Sequence, residues 1–144
     1  MSRVLRGNAA AIEFCLLLGS VSQTWDDLID GDKPVTAQQI NAAFFKALIQ
    51  IPANRFYRIH FASLQPLMQA AAYDWLAANE LERGGADEQA LAYVLRDSLV
   101  AVVTQCAALV GGHGWAIDHA AAIRRYFHDE PAAEYVRKLK EHRS

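Results

Sequence analysis

The sequence predicts an all-α protein, and two observations carry this prediction. Alanine is abundant and apolar residues recur at helical spacing, whereas no strand-length alternation is bounded by turn residues. Helix caps and stops, such as Asn8, Thr36 with Gln39, and Gly31, divide the chain into segments of helical length. We therefore predict a compact single-domain bundle of five to seven helices over residues 1–144.

The predicted helices follow from these caps and stops in chain order. They cover residues 8–30, 36–52, 54–61, 63–83, 87–110, 115–127 and about 131–142. Pro52 is expected to end the second of them, and the glycine pair Gly84-Gly85 the fourth. The last helix is strongly charged and is expected to act as a solvated lid or docking arm.

The composition limits the class of protein. The chain has 144 residues, 53% of them apolar, and a formal net charge of −2, which is typical of a globular domain. No global field favours nucleic acid or an anionic membrane. We find no signal peptide and no uninterrupted apolar run of ~20 residues, so a cytoplasmic protein without a membrane partner is expected. Cys15 and Cys106 lie in apolar runs and are predicted to be buried thiols.

The acidic stretch 25–32 is the first candidate site. Asp26, Asp27 and Asp30 form a D-D-x-x-D pattern, and Asp32 follows. On a helical wheel of ~100° per residue, Asp26 and Asp30 continue a stripe that begins at Ile12 and Leu16, while Asp27 stands aside. We therefore expect the stripe to face inward and the two aspartates to point into a polar opening. Neighbouring carboxylates repel unless a cation lies between them, and Mg²⁺ prefers oxygen ligands.

Two structural alternatives explain the same acids without a metal. The chain can break near Gly19-Ser20, so that Thr24 caps a new helix whose first turn favours negative charge. Otherwise Lys33, Arg55 or Arg58 can neutralise the acids in an ordinary ion-pair network.

The pattern Asp26-Asp27-Leu28-Ile29-Asp30 resembles the aspartate-rich motif of isoprenoid diphosphate synthases and terpene cyclases. The resemblance implies Mg²⁺ held by Asp26, Asp27 and Asp30 against a diphosphate. It covers five residues, those enzymes are about twice as long, and no second acidic motif of matching spacing is present.

A wider stretch is similar to small uncharacterised phage and prophage proteins. The segments that carry this resemblance run from Trp25 to Asp30, from Ile40 to Phe44, from Ile51 to Tyr57, and through His60-Phe61, Trp75 and 78–80. The resemblance implies a phage-related context, and hence the cytoplasm of the host cell, but no activity.

The segment 54–60 mixes cations with aromatic residues. Arg55 and Arg58 are candidate donors to a phosphate or to a binding partner, with Tyr57 available to stack. The alternative is a helix whose aromatic residues anchor in the core while the arginines face water. Because no other basic surface is visible, nucleic acid is not expected.

Asn79 and Glu80, near the end of the fourth helix, are candidates for a supporting role at a metal site, or they simply finish the helix. Trp115, Tyr126 and Tyr135 are candidates for a dimer seam.

Two classes of function remain. The first is a phage-associated helical accessory or interaction protein, with a protein partner or self-association, whose acidic cluster is structural or docks a basic partner. The second is a Mg²⁺-dependent enzyme or binder acting on a diphosphate or nucleotide. We rank the first ahead, because one motif in a chain of half the length rarely suffices for catalysis.

Overall fold

The computed structural model describes residues 1–31, 33–128 and 130–143, and Asp32 of the acidic stretch lies outside the described residues. Every regular element in that part of the chain is helical, which confirms the all-α prediction. The elements are α1 (Ala9–Asp30), α2 (Ala37–Phe45), a π-helical turn (Lys46–Gln50), α3 (Ile51–Ala53), α4 (Arg55–Ile59), α5 (Phe61–Leu81), α6 (Ala86–Leu95), α7 (Leu99–Gly111), α8 (His113–Phe127) and α9 (Ala132–Arg143). Because α2 continues through the π-helical turn into α3, and α6 and α7 form one stretch, the number of helices stays within the predicted five to seven.

Contacts divide the chain into two compact units, Met1–Ala62 and Ser63–Ser144. The single domain expected over 1–144 stays a prediction.

In the first unit, α1 runs unbroken over 22 residues. The side chain of Asn8 accepts the backbone N–H of Ala11, as expected for an N-cap, and Gly31 ends the helix with a positive φ of 67° that glycine adopts without strain. Thr24 Oγ1 donates to the carbonyl of Ser20, 3.2 Å away, inside the helix. The alternative of a break at Gly19-Ser20 is therefore wrong, and the acids lie in the last turn of α1.

The second helix begins as the sequence predicts but ends later. Thr36 and Gln39 form both hydrogen bonds of the capping box. Pro52 does not stop the helix, because a π-helical turn precedes it, in which the N–H of Ile51 donates to the carbonyl of Lys46. Pro52 then falls within the first two residues of the short α3, and the helix ends one residue later at Ala53.

α1 and α2 form an antiparallel hairpin, because Lys46 Nζ donates to Ser20 Oγ (2.8 Å) and Asn54 Nδ2 to the carbonyl of Ala10 (3.0 Å). The hairpin is closed at its base, where Asn54 also caps α4 by accepting the N–H of Tyr57. The core of the first unit lies at the same end. Phe14 stacks on Tyr57 with ring centroids 5.5 Å apart, and Leu5, Ala11, Ile51 and Phe56 are buried with them.

In the second unit, α7 packs against α8 and α6 against α9. The buried residues include Leu64, Ala71 and Ala78 on α5 and Val102, Val103 and Cys106 on α7. The predicted helix 87–110 is present as the stretch Ala86–Gly111, which a turn at residues 96–98 divides into α6 and α7. Ser98 Oγ donates to the carbonyl of Leu95 (2.8 Å) there, an alternative to helical hydrogen bonding that serine offers the backbone.

The charged α9 carries its own ion pairs, since Arg137 pairs with Glu134 and with Glu141 on the exposed side of the helix. The hydrogen bond from Arg137 lowers the pKa of Glu134 below its ordinary value. The role of this helix as a lid or docking arm stays a prediction.

Candidate functional site

The acidic cluster lies at the C-terminal end of α1. Asp27 Oδ1 accepts a hydrogen bond from Gln23 Nε2 (3.0 Å), and its backbone carbonyl accepts the N–H of Gly31. No basic residue stands in the last turn of α1, so the helix dipole disfavours each carboxylate by a few tenths to ~1 kcal/mol.

The predicted inward stripe of α1 is wrong. The buried face of the helix is formed by Ala11, Phe14 and Cys15, whereas Leu16 of the predicted stripe is exposed. The core at the base of the hairpin selects this face, because Phe14 stacks there on Tyr57. Asp30 is exposed, and Asp26 is half-buried.

These aspartates do not gather further ligands for a cation among the residues that the structure describes. No group of three His, Cys, Asp or Glu side chains is placed there to hold a metal ion. The assignment of Asp26, Asp27 and Asp30 to Mg²⁺ stays a prediction from the sequence pattern.

Arg55 and Arg58 lie at the other end of the hairpin. Asn54 donates to Glu13 Oε1 (3.2 Å) as well as to Ala10, so Arg55 stands about 20 Å along α1 from Asp26 at 1.5 Å per residue. The acidic and basic clusters therefore do not meet within one chain. Both arginines are exposed, while Phe56 and Tyr57 are buried, which confirms the alternative in which the aromatic residues anchor α4. Burial raises the pKa of Tyr57.

Asn79 and Glu80 lie in the second unit, on α5. Asn79 Oδ1 accepts a hydrogen bond from Arg96 Nη1 (2.8 Å), and Glu80 is exposed. Arg96 also pairs with Glu82, whose Oε1 lies 2.8 Å from Arg96 Nε. Asn79 thus has a partner in its own unit, and its supporting role at a metal site stays a prediction.

A polar cluster around this ion pair was not predicted from the sequence. Tyr135 Oη donates to Glu82 Oε1 (2.5 Å), and Tyr93 Oη to the carbonyl of Glu130 (2.5 Å). His128 Nδ1 lies 2.8 Å from Asp97 Oδ2. The sequence does carry one indication of this cluster, the charged pair Arg96-Asp97 inside an otherwise apolar run. Because buried charges need partners, such a pair predicts polar side chains from other helices beside it.

This polar cluster lines a cavity of about 230 Å³ together with Phe127. Its groups mainly bond to one another and tie the end of α5 to α6 and α9. Tyr135 belongs to this cluster and Tyr126 is exposed, and their role in a dimer seam with Trp115 stays a prediction.

The stretch Ala86–Gly111 is long and apolar enough to span a membrane by length and composition, with a mean hydropathy of 1.5 over its best window. Buried core helices of water-soluble proteins also meet this criterion of length and hydropathy. Arg96 and Asp97 lie within the stretch, where Arg96 pairs with Glu82 and Asp97 lies beside His128. The expected absence of a membrane partner stays a prediction.

The most unusual surface of the molecule is on the arms of the hairpin. Among residues 16–31 and 33–50 no side chain is buried, although the segment is rich in large apolar residues. Eight of them are between 43% and 67% exposed: Leu16, Trp25, Leu28 and Ile29 on α1, and Phe44, Phe45, Leu48 and Ile49 on α2 and its π-helical turn. We call these eight residues the hairpin surface. Further along the same helical stretch Ile51 is buried, whereas Phe44 and Leu48 are exposed.

An open groove of about 510 Å³ runs along α1 beside this surface. Its walls are mostly apolar, and Leu16, Leu17 and Ile12 line it, with Glu13 and Lys46 among its polar groups. Such a groove can accept the side chains of another helix.

No protein-family model matches this chain, and neither a curated protein nor a solved structure is similar to it.

Proposed function

We propose that this chain is a helical interaction protein that binds a protein partner through the hairpin surface. The observation that carries the proposal is the absence of any buried side chain over residues 16–31 and 33–50, combined with eight large apolar side chains that are at least 43% exposed. Helical stability in proteins comes mainly from packing an apolar face, and the arms of this hairpin lack such packing beyond their own seam.

The size of the surface supports the same conclusion. A side chain such as that of Phe44, 61% exposed, leaves about 100 Å² open, so the eight residues together expose several hundred Å². Exposed apolar patches of this size mark sites of interaction with proteins, ligands or membranes. The groove beside α1 favours a helical partner, because apolar side chains at helical spacing fill such a groove.

The phage association and the cytoplasmic location remain predictions from the sequence. The alternative function, Mg²⁺-dependent work on a diphosphate or nucleotide, is supported by the D-D-x-x-D pattern alone.

A photo-crosslinking experiment tests the proposal. A benzophenone amino acid replaces Leu48 of the hairpin surface in one variant and Ala70, an exposed residue of α5, in a control. Irradiation of cells that express the full chain should link the Leu48 variant, and not the Ala70 variant, to a discrete protein band, which includes a second copy of the chain. If neither variant forms such a band, the hairpin surface does not serve an interaction.

A further inference from the structure

We infer that the hairpin surface is covered by a second copy of the same chain, so that two hairpins pack into an antiparallel four-helix bundle. This inference rests on the proposed function and names its partner. Three features of the first unit carry it: the architecture of the hairpin, the area it exposes, and the distribution of charge along it.

The architecture is half of a helical bundle. Two antiparallel helices can bury only the seam between them, whereas four helices enclose a core of apolar side chains. α1 and α2 have this antiparallel arrangement, as the Lys46–Ser20 and Asn54–Ala10 hydrogen bonds show. Both arms carry exposed apolar residues, with Trp25, Leu28 and Ile29 on α1 and Phe44, Phe45 and Leu48 on α2.

The exposed area matches what a stable dimer needs. Leu16 lies about 180° around α1 from Trp25, so it belongs to the opposite side of the helix. The other seven residues of the hairpin surface, at about 100 Å² each, expose about 700 Å², close to the ~800 Å² that each partner contributes to a typical specific interface.

The charges determine the orientation of the two copies. The tip end of α1 carries Asp26, Asp27 and Asp30, and the base of the hairpin carries Arg55 and Arg58, both exposed. These two ends lie about 20 Å apart along α1. In a dimer with two-fold symmetry each contact occurs twice, with the roles of the copies exchanged. An antiparallel arrangement therefore places the acidic tip of each copy beside the arginines of the other, and a parallel arrangement places like charges together.

The test is the molar mass of the purified full chain, measured by sedimentation over a range of concentrations. We expect twice the 15.9 kDa mass of the single chain, with dissociation on dilution. Leu48→Ser should weaken the dimer at least tenfold, because it places a hydroxyl in the apolar interface. The matched control is Leu91→Ser, an exposed leucine of the second unit, which should leave the mass unchanged.

A charge exchange tests the orientation. Asp26→Lys with Asp30→Lys should raise the dissociation constant about tenfold, because several weak ion pairs are reversed and symmetry doubles each of them. Arg55→Glu with Arg58→Glu should do the same. Mixing the two variants should give a heterodimer in which both tip-to-base contacts join opposite charges again, and combining all four changes in one chain should restore the dimer of the wild type. Circular dichroism of each variant shows whether it is folded.

Three outcomes would overturn the inference. A chain that stays monomeric at all concentrations is not a dimer. A dimer that is insensitive to Leu48→Ser uses another surface. A dimer that responds to that change but not to the charge exchange lacks the antiparallel arrangement. If the chain is monomeric but the Leu48 crosslinking variant captures another protein in cells, the proposed function stands while the inference of a second copy fails.

Discussion

Asn54 is the residue on which the closure of the hairpin base depends, and its replacement gives the most direct test of the first unit. Its side chain is 4% exposed and makes three hydrogen bonds. It accepts the N–H of Tyr57 (2.9 Å) and donates to the carbonyl of Ala10 (3.0 Å) and to Glu13 Oε1 (3.2 Å). Asn54→Ala therefore removes an N-cap and two bonds to the first turns of α1.

The expected loss of stability follows from these bonds. An N-cap contributes about 1 kcal/mol, and each further hydrogen bond about 1 kcal/mol. Because Glu13 is exposed and regains water when its partner is removed, we take the lower part of the range and expect Asn54→Ala to cost about 2 kcal/mol. With a urea slope near 1 kcal/mol/M for a small unit, the midpoint should fall by about 2 M.

The assay can be confined to the first unit. Trp25 is its one tryptophan in the sequence, whereas Trp75 and Trp115 belong to the second unit. In a chain with Trp75→Phe and Trp115→Phe, tryptophan fluorescence during urea unfolding at fixed protein concentration reports on the hairpin.

Two further variants sharpen the test. Asn54→Ser keeps a side-chain oxygen that can accept the N–H of Tyr57 but loses both bonds to α1, so it should fall between the wild type and Asn54→Ala if the cap carries part of the effect. Asn41→Ala, an exposed asparagine on α2, should change stability by less than about 0.5 kcal/mol. If Asn54→Ala is no more destabilising than Asn41→Ala, the structural argument for the base of the hairpin is refuted.

Three other predictions concern the second unit, the acidic cluster and pH. Leu64→Ala should destabilise the chain by about 3 kcal/mol, because Leu64 is 0% exposed, while Leu91→Ala, at 56% exposure, should cost less than about 0.5 kcal/mol in the same thermal unfolding experiment. A Mg²⁺ ion at 100-fold excess over its Kd should stabilise the wild type by about 2.7 kcal/mol and leave the variant Asp26→Asn with Asp30→Asn unaffected; equal melting temperatures with and without millimolar Mg²⁺ would remove the magnesium hypothesis. The pKa of Tyr57 is raised above its ordinary 10.0 in the folded chain, so the folded state holds this proton where the unfolded state has lost it. The contribution of this proton to stability is present below pH 10 and is lost as pH rises from there through the raised pKa. Tyr57→Phe should therefore flatten the decline in the free energy of unfolding on the alkaline side. An unchanged slope would contradict the raised pKa.

The helix ends were predictable because caps are local. Asn8, Thr36 with Gln39, and Asn54 make the hydrogen bonds that their side chains predict, since the partner is always a backbone N–H two or three residues later. Gly31 similarly needs only its own positive φ to end α1. Features of this kind do not depend on how helices pack together.

What could not be predicted depends on contacts between distant residues. On α1 the face that contains Leu16 and the face that contains Phe14 have similar apolar patterns in the sequence. Phe14 is the buried residue because Tyr57, more than forty residues later in the chain, stacks on it. Likewise, the polar cluster of the second unit joins Asn79 to Arg96 and Asp97 to His128, and nothing near each residue in sequence indicates its partner.

The π-helical turn at Lys46–Gln50 makes the hairpin sensitive to chain length rather than only to residue type. A π-helical turn holds about one residue more than an α-helical turn, so deleting a single residue there should relax it to ordinary helix. The deletion would rotate Phe44 and Phe45 by about 100° relative to Ile51, whose side chain is fixed in the core. Relatives of this chain that differ by one residue in this turn would therefore present a different set of apolar side chains outward, and could change partner without any substitution on the surface itself.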